Sequence, residues 1–350
     1  MRLRRASVSA VLIGLSSLGL VPIAMADVVN ILPGSTFKAP GNAVRGLVQS
    51  ESPTEVVVKL GNTMQKVPTG AIASITYDGH PSEIDLAQSR ENAGAYADAA
   101  ARYLEAATKA AGKPFIQESA LFGQARAVTD LALTDPSRTA DAVKLLDAFV
   151  KAHPNGRHVV PALDVLAKLQ LAQGDYAKVD DTLARMDKLP ESADRATVLR
   201  AKVFSRKGDF AKAASELDTI IKGAPEGSIR KRDAQLAKSE VLVGMKKFAE
   251  AETLVQGVIK SAPPEDSATQ ALAHNTLGDC LRAAGKPRDA LYAYLHTDLL
   301  FSKDKEQHPK ALARIAELWR ELKQDDRATE VSDRLRKDYP RSPYAATAAK

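Results

Sequence analysis

Residues 208–225 read GDFAKAASELDTIIKGAP: a large residue at Phe210, a small one at Ala213, apolar Leu217 and Ile220, and a closing Pro225. Ala213, Leu217 and Ile220 share one face of a helix. A proline lacks the N–H that a helix needs and disfavours helix in the residue before it, so Pro225 marks an end. The phrase returns along the chain. Its small position recurs as Ala99, Ala142, Val179, Ala213, Ala251, Ala290 and Ala328, at intervals of 43, 37, 34, 38, 39 and 38 residues. Periods of this length belong to helical arrays, in which each unit buries its apolar face only by stacking on the next.

Three residues before the small position stand Tyr96, Thr139, Tyr176, Phe210, Phe248, Pro287 and Asp325, four of them aromatic in a chain that is only 5% aromatic. Eleven or twelve residues after it stand Pro154, Pro190, Pro225, Pro263 and Pro340. Twelve before it stand Ala87, Ala167, Ala201, Ser239, Gly278 and Ala316, small residues that let the first helix of a pair approach the second. Asp130 breaks that column in the second repeat, whose interval of 43 predicts a longer turn through Thr134, Asp135 and Pro136.

These columns resemble the tetratricopeptide repeat, two antiparallel helices with small residues at their close contacts and a proline at the end. Leu277-Gly278 with Ala290 and Tyr294, and Gly208-Asp209-Phe210 with Ala213, Leu217, Ile220 and Pro225, match best. The tryptophan that the family carries in its first helix is missing, its places holding Leu163, Thr197, Gln235, His274 and Leu312. The resemblance implies a mainly α fold, an α-solenoid of about seven helical hairpins over residues 83–346.

Ahead of the array the period changes. Val28–Leu32, Ala43–Val48, Thr54–Leu60, Met64–Val67 and Ile72–Tyr77 are short, β-branched and partly alternating, and Pro33-Gly34, Pro40-Gly41, Ser52-Pro53, Gly61-Asn62 and Pro68-Thr69-Gly70 divide them. They predict a small bent β domain over residues 27–80. Its spacing resembles SH3-like or Sm-like barrels. Residues 78–82 form the short joint, with Ser82 expected to cap the first helix.

Residues 1–26 open with Arg2, Arg4 and Arg5, run through apolar Val8–Leu20 and finish Ala24-Met25-Ala26. That pattern predicts a secretory signal peptide, with a retained anchor as the alternative. The protein is therefore expected to be exported, periplasmic or otherwise extracytoplasmic, with no transmembrane segment after cleavage. Removing three arginines and no acid would lower the formal charge from +6 to +3. The lone Cys280 cannot form a disulfide within the chain and, between Leu277 and Leu281, reads as a small core residue.

Chemistry has no local signature here: HExxH, CxxC, Gly-x-Ser-x-Gly and a Gly-rich loop before a lysine are all missing. No cofactor, metal or catalytic residue is predicted. His153 and His158, around Pro154-Asn155-Gly156, read as a solvated loop pair, His274 as a stand-in for the repeat's aromatic, and Arg230-Lys231-Arg232 as a solvated basic turn. The family's groove is lined by first-helix residues, which here include Lys168, Val198, Lys202, Arg206, Leu236, Asn275, Arg282 and Arg320, with Asp164, Glu240, Asp279, Glu317 and Glu321 among them. The family's clamp for a C-terminal carboxylate is not present. The expectation is a non-catalytic exported scaffold that binds a protein or peptide, with no nucleic-acid partner, in cell-envelope organisation or assembly. A self-assembling envelope protein joined through its terminal repeats is the alternative, ahead of an enzyme with a site assembled across repeats.

The leader reading carries its own test. Mass spectrometry of the native protein should find Asp27 at the N-terminus, and intact Met1 in the cytoplasmic fraction would overturn it.

Overall fold

The computed structural model describes residues 26–32, 35–189, 192–340 and 342–347; the expected leader (residues 1–26) apart from its last residue, the Pro33-Gly34 turn, Pro190 and Arg341 lie outside them. Among the described residues five strands come first: β1 (Asp27–Ile31), β2 (Ala43–Glu51), β3 (Glu55–Leu60), β4 (Thr63–Pro68) and β5 (Ile72–Thr76). All pair antiparallel in the order β4-β3-β2-β1-β5. Alternation drives the pairing, since Val29, Ile31, Val44, Val48, Val56, Val58 and Val67 all turn to one buried core.

The sheet bends within β2. Residues 43–46 pair with β1, residues 47–51 pair with β3, and the register shifts between Val48 and Ser50. Gly46 stands at this changeover because a Cβ there would lie 2.3 Å from the Lys59 carbonyl oxygen. Buried Asp27 ties both ends of the unit, its carboxylate accepting from the Val48 amide at 2.7 Å and from the Asp78 amide at 2.8 Å.

Seven helical pairs follow. The first helices are α1 (Glu83–Asn92), α3 (Pro114–Thr134), α5 (Val159–Ala172), α7 (Ala193–Arg206), α9 (Ile229–Gly244), α11 (Ser267–Ala283) and α13 (Gln307–Glu321). The second helices are α2 (Tyr96–Lys109), α4 (Thr139–Ala152), α6 (Tyr176–Met186), α8 (Phe210–Gly223), α10 (Phe248–Ser261), α12 (Pro287–Leu300) and α14 (Asp325–Asp338). A short α15 (Pro343–Thr347) packs against α13 and α14. The residues three before each small position are the first residues of the seven second helices. Pro154, Pro225, Pro263 and Pro340 each stand two positions past a helix end. Ala99, Ala142, Val179, Ala213, Ala251 and Ala290 are fully buried, and Ala328 nearly so.

A further column emerges five residues before the small one. Gly94, Gly174, Gly208, Lys246, Gly285 and Lys323 all hold a positive φ, the left-handed step that reverses the chain between paired helices. The second repeat instead runs through a 3₁₀ turn at Pro136–Arg138, and Asp130, in the small column, sits half-buried beside Arg126 and Glu91. Its carboxyl is pushed up to about 6, first by desolvation and then by Glu91. Ser82 does not cap the first helix as expected: its own backbone is helical and its side chain makes no capping bond. Side-chain caps stand instead at Asp175, Asp209, Ser228 and Asp266, each accepting from the amide three residues on.

The sheet is seated on the array. Ala110 and Ile116 complete its core, with Ile84 and Phe115 packed against it. At the far end Ala345 of α15 joins Leu312, Ala313 and Leu335, covering the last pair.

Replacing Ala213 or Ala251 by leucine puts three extra heavy atoms into a contact with no room for them. Each change should cost about 1–3 kcal/mol in a denaturant titration, with the native fold retained. Stability equal to wild type would show that the helices are not held at that spacing.

Candidate binding surface

From α5 onward each first helix packs on the next first helix, α5 on α7, α7 on α9, α9 on α11 and α11 on α13, in addition to its paired second helix. The row of first helices is thus the tighter of the two, and an array curves toward its tighter row. Residues one position past the small residue of each first helix form a line across this inner face: Lys168, Lys202, Glu240, Asp279 and Glu317.

The eight groove residues expected from sequence divide sharply. Lys168 is exposed and pairs with Asp164 one turn away at 2.7 Å. Val198 and Lys202 are half-buried, and Arg206 is exposed. Leu236 and Asn275 are buried, so they present nothing to a partner. Leu236 packs in the core with Val255 and Cys280, and the Asn275 amide donates to the Gln307 carbonyl at 2.9 Å. Arg282 is engaged with Glu317 at 2.6 Å, and Arg320 donates to Ser332 at 3.0 Å.

The α11–α13 end of the face is neutralised from within. Asp279 accepts from Tyr294 at 2.5 Å and from Lys310 at 2.7 Å, while Glu317 takes Arg282 at 2.6 Å and Arg314 at 2.9 Å. Desolvation, then Asp279, push the Tyr294 hydroxyl far above its ordinary range. The middle of the face differs. Arg195, Lys202 and Arg206 lie on one side of α7 around Val198, and none of the three makes an ion pair or side-chain hydrogen bond. Across from them on α9, Asp233 feels Arg195 and Lys202 electrostatically, and Glu240 is exposed without an ion pair.

Two other sequence expectations change, and two hold. Arg230-Lys231-Arg232 is not a solvated turn: it opens α9, Arg230 pairs with Asp194, Lys231 with Glu226, and buried Arg232 with Asp266 at 3.0 Å. His153 and His158 are not a solvated pair either. His158 is buried and stacked on Phe122 with ring centroids 4.4 Å apart. His274 stacks on His296 at 4.8 Å, in keeping with its aromatic place, and Cys280 is buried with its thiol pushed up to about 12 by desolvation.

His158 belongs to a polar cluster, missed in the sequence, that joins the sheet to the repeats. Glu51 of β2, its side chain 1% exposed, accepts from Tyr77 and from Arg157 Nε at 3.1 Å. Arg157 Nη2 donates to Ser119 Oγ of α3 at 3.1 Å, and that oxygen lies 3.2 Å from His158 Nε2. Beside them Glu118 meets His153 at 3.5 Å, and its carboxylate lies over Gly156, where a Cβ would stand 2.0 Å from it and force it to move. Desolvation raises Glu51 and Glu118, with Arg157 pulling Glu51 back, and desolvation followed by Arg157 holds His158 well below its ordinary range. A serine, a histidine and a carboxylate meet here, but they are spent on one another inside a seam. The arrangement fastens the sheet to the repeats.

Comparison with known proteins agrees with the fold. Residues 160–298 match the family described as tetratricopeptide repeat-like domain, and residues 310–342 match tetratricopeptide repeat. No curated protein matches the sequence. Among solved structures, a tetratricopeptide repeat protein from Parabacteroides merdae is 12% identical, with a TM-score of 0.48, over 77% of this chain and 98% of its own. The human IFIT1 dimer with m7Gppp-AAAA is 16% identical, with a TM-score of 0.52, over 73% of this chain and 57% of that one. PilW, a widely conserved type IV pilus biogenesis factor, is 16% identical over 65% of this chain and 98% of its own, with a TM-score of 0.42. At these identities the likeness is one of fold. Among the described residues no helix is long and apolar enough to cross a membrane, and no group of three or more metal-ligating side chains is assembled.

The seam carries a pH dependence. Between its depressed native value and its ordinary value near 6.5, His158 binds fewer protons folded than unfolded, so the stability it contributes is present above about pH 6.5 and is lost as pH falls. Glu51 and Glu118, raised, act in the opposite sense at lower pH, so the test is a difference. Urea titrations of wild type and of His158→Gln at about pH 7.5 and about pH 5 should show the wild type losing ground to the variant on acidification. An unchanged difference would mean that His158 is not held neutral.

Proposed function

Because residues 160–298 and 310–342 match tetratricopeptide-repeat families and a small β-sheet stands ahead of the repeats, we propose that the chain is a non-catalytic scaffold that binds a protein or peptide segment on the inner face of α7 and α9. One observation carries this reading. Arg195, Lys202 and Arg206 line one side of α7 with no ion pair, in a chain whose other inner-face charges at α5, α11 and α13 are largely paired off. Charges left unpaired beside half-buried Val198 suit a partner that brings apolar side chains and carboxylates together: burial supplies much of the affinity, and charge sets register and association rate. The exposed acids Asp233 and Glu240 on the facing helix would orient the partner's own cations.

The place of action follows from the leader pattern. A charged start, an apolar run and Ala24-Met25-Ala26 support work outside the cytoplasm, in organising or assembling the cell envelope. The sheet then adds a second contact beside the array.

Capture from an envelope extract tests the reading. Wild type and a Lys202→Glu, Arg206→Glu variant of equal helical content are compared. The variant should retain its partner at least about tenfold more weakly, roughly 1.4 kcal/mol, and lose the salt dependence of wild type. If binding survives that reversal and disappears instead in Leu47→Ser, Met64→Ser, which alters two exposed residues of the sheet, recognition lies in the β unit and the array is its spacer.

A further inference from the structure

The outer face of α12 is unlike that of its neighbours. Counted from the small residue, the places of Tyr292 and Leu299 are held by Ser215 and Lys222 on α8, by Thr253 and Lys260 on α10, and by Glu330 and Lys337 on α14. Tyr292 is 64% exposed, Leu299 74% and Leu300 66%. The inner side of the same helix is already spent, with Ala290, Leu291, Ala293, Tyr294 and Thr297 buried against α11 and α13. Three large apolar side chains in open water on one helix face are a contact surface without its other half.

The charges around the stripe identify that half. Asp289 and Lys303 are exposed, make no ion pair, and stand seven residues on either side of His296. Tyr292 and Leu300 stand four residues on either side of it. The His296 ring is fixed by its stack on His274 and by the 2.9 Å contact of its Nδ1 with the Tyr292 carbonyl. A surface with an acid in the first turn of α12, a base in the turn that follows the helix and large apolar groups between them is complementary to itself under a two-fold rotation. A lipid surface would be met by cations alone on both flanks, whereas here an acid, Asp289, stands beside Arg288 on one of them.

We propose that α12 is the interface through which two copies of this chain pair, antiparallel and centred on His296. Tyr292 of each copy packs on Leu300 of the other, Leu299 fills the space beside the axis, and Asp289 meets Lys303 at both ends. The pairing uses the outer row of helices, so it leaves the inner face of α7 and α9 open and does not depend on the reading given to that face.

Sedimentation equilibrium of the whole chain should show a reversible dimer at concentrations on the order of tens of micromolar or below. Leu299→Glu and Tyr292→Glu should each weaken it at least about tenfold at unchanged helical content. Asp289→Lys alone and Lys303→Asp alone should weaken it, and the two together should restore it to within about twofold, because the exchanged charges meet again across the axis. His296→Cys should form a covalent dimer under mild oxidation, and Thr253→Cys on α10 should not. A chain that stays monomeric, a dimer indifferent to Leu299→Glu, a charge exchange that fails to restore pairing, or equal crosslinking at residue 253 would each overturn the proposal. So would a monomer that sediments with anionic vesicles through Leu299.

Discussion

The helical part of the molecule depends on seven places where two helices meet with almost nothing between them. Interaxial distance is set by the side chains at the contact, and at Ala99, Ala142, Val179, Ala213, Ala251, Ala290 and Ala328 it is set by a small residue with no remaining exposure to speak of. Helices held so close are joined by short reversals, and in six of the seven pairs the left-handed step five residues earlier makes the turn. Four of its six occupants are glycine. Lys246 and Lys323 adopt the same φ at a cost of about 1–2 kcal/mol each, which the surrounding packing must offset. Large residues fit where the opposing helix yields: the Tyr103 ring lies against Gly123 and the Tyr294 ring against Gly278, each too near to admit a Cβ.

Charge is divided between holding and meeting. Many cations find acids on a neighbouring repeat, as Arg232 does in Asp266, Lys310 in Asp279 and Lys286 in Glu252. Pairs that are half in water contribute little individually, but they fix which helix lies beside which. The α7 cations and the Asp289 and Lys303 pair stand outside this scheme, on opposite rows of the array.

The array was legible in the sequence because its constraint is periodic: the small, aromatic and proline columns recur, and helix starts and ends fell where they indicated. The five strands were legible from their turn residues. The inner face was legible only in part. Leu236 and Asn275 occupy the same column as Asp164 and Val198, but the closer contact of α9 with α11 and the reach of Asn275 to Gln307 bury them. The seam left no local trace, because Glu51, Tyr77, Ser119 and Arg157 come from four separate stretches, and the Asn155-Gly156 signal correctly marks a turn that happens to be covered. A hint was available in Gln117-Glu118-Ser119, a polar run between the apolar residues that open α3 and those that follow.

The Arg157–Glu51 contact spans 106 positions of sequence, whereas the helices of the array touch chiefly their neighbours in the chain. A stack held by neighbour contacts melts from its ends inward. Here the two ends are unequal: one is bolted through the third hairpin to a sheet that shares its core, and the other is covered by five residues of α15. Local opening therefore begins at the C-terminal hairpins and spreads toward α5, so amide exchange should be fastest over α13 to α15 and slowest where sheet, α3 and α5 close on one another.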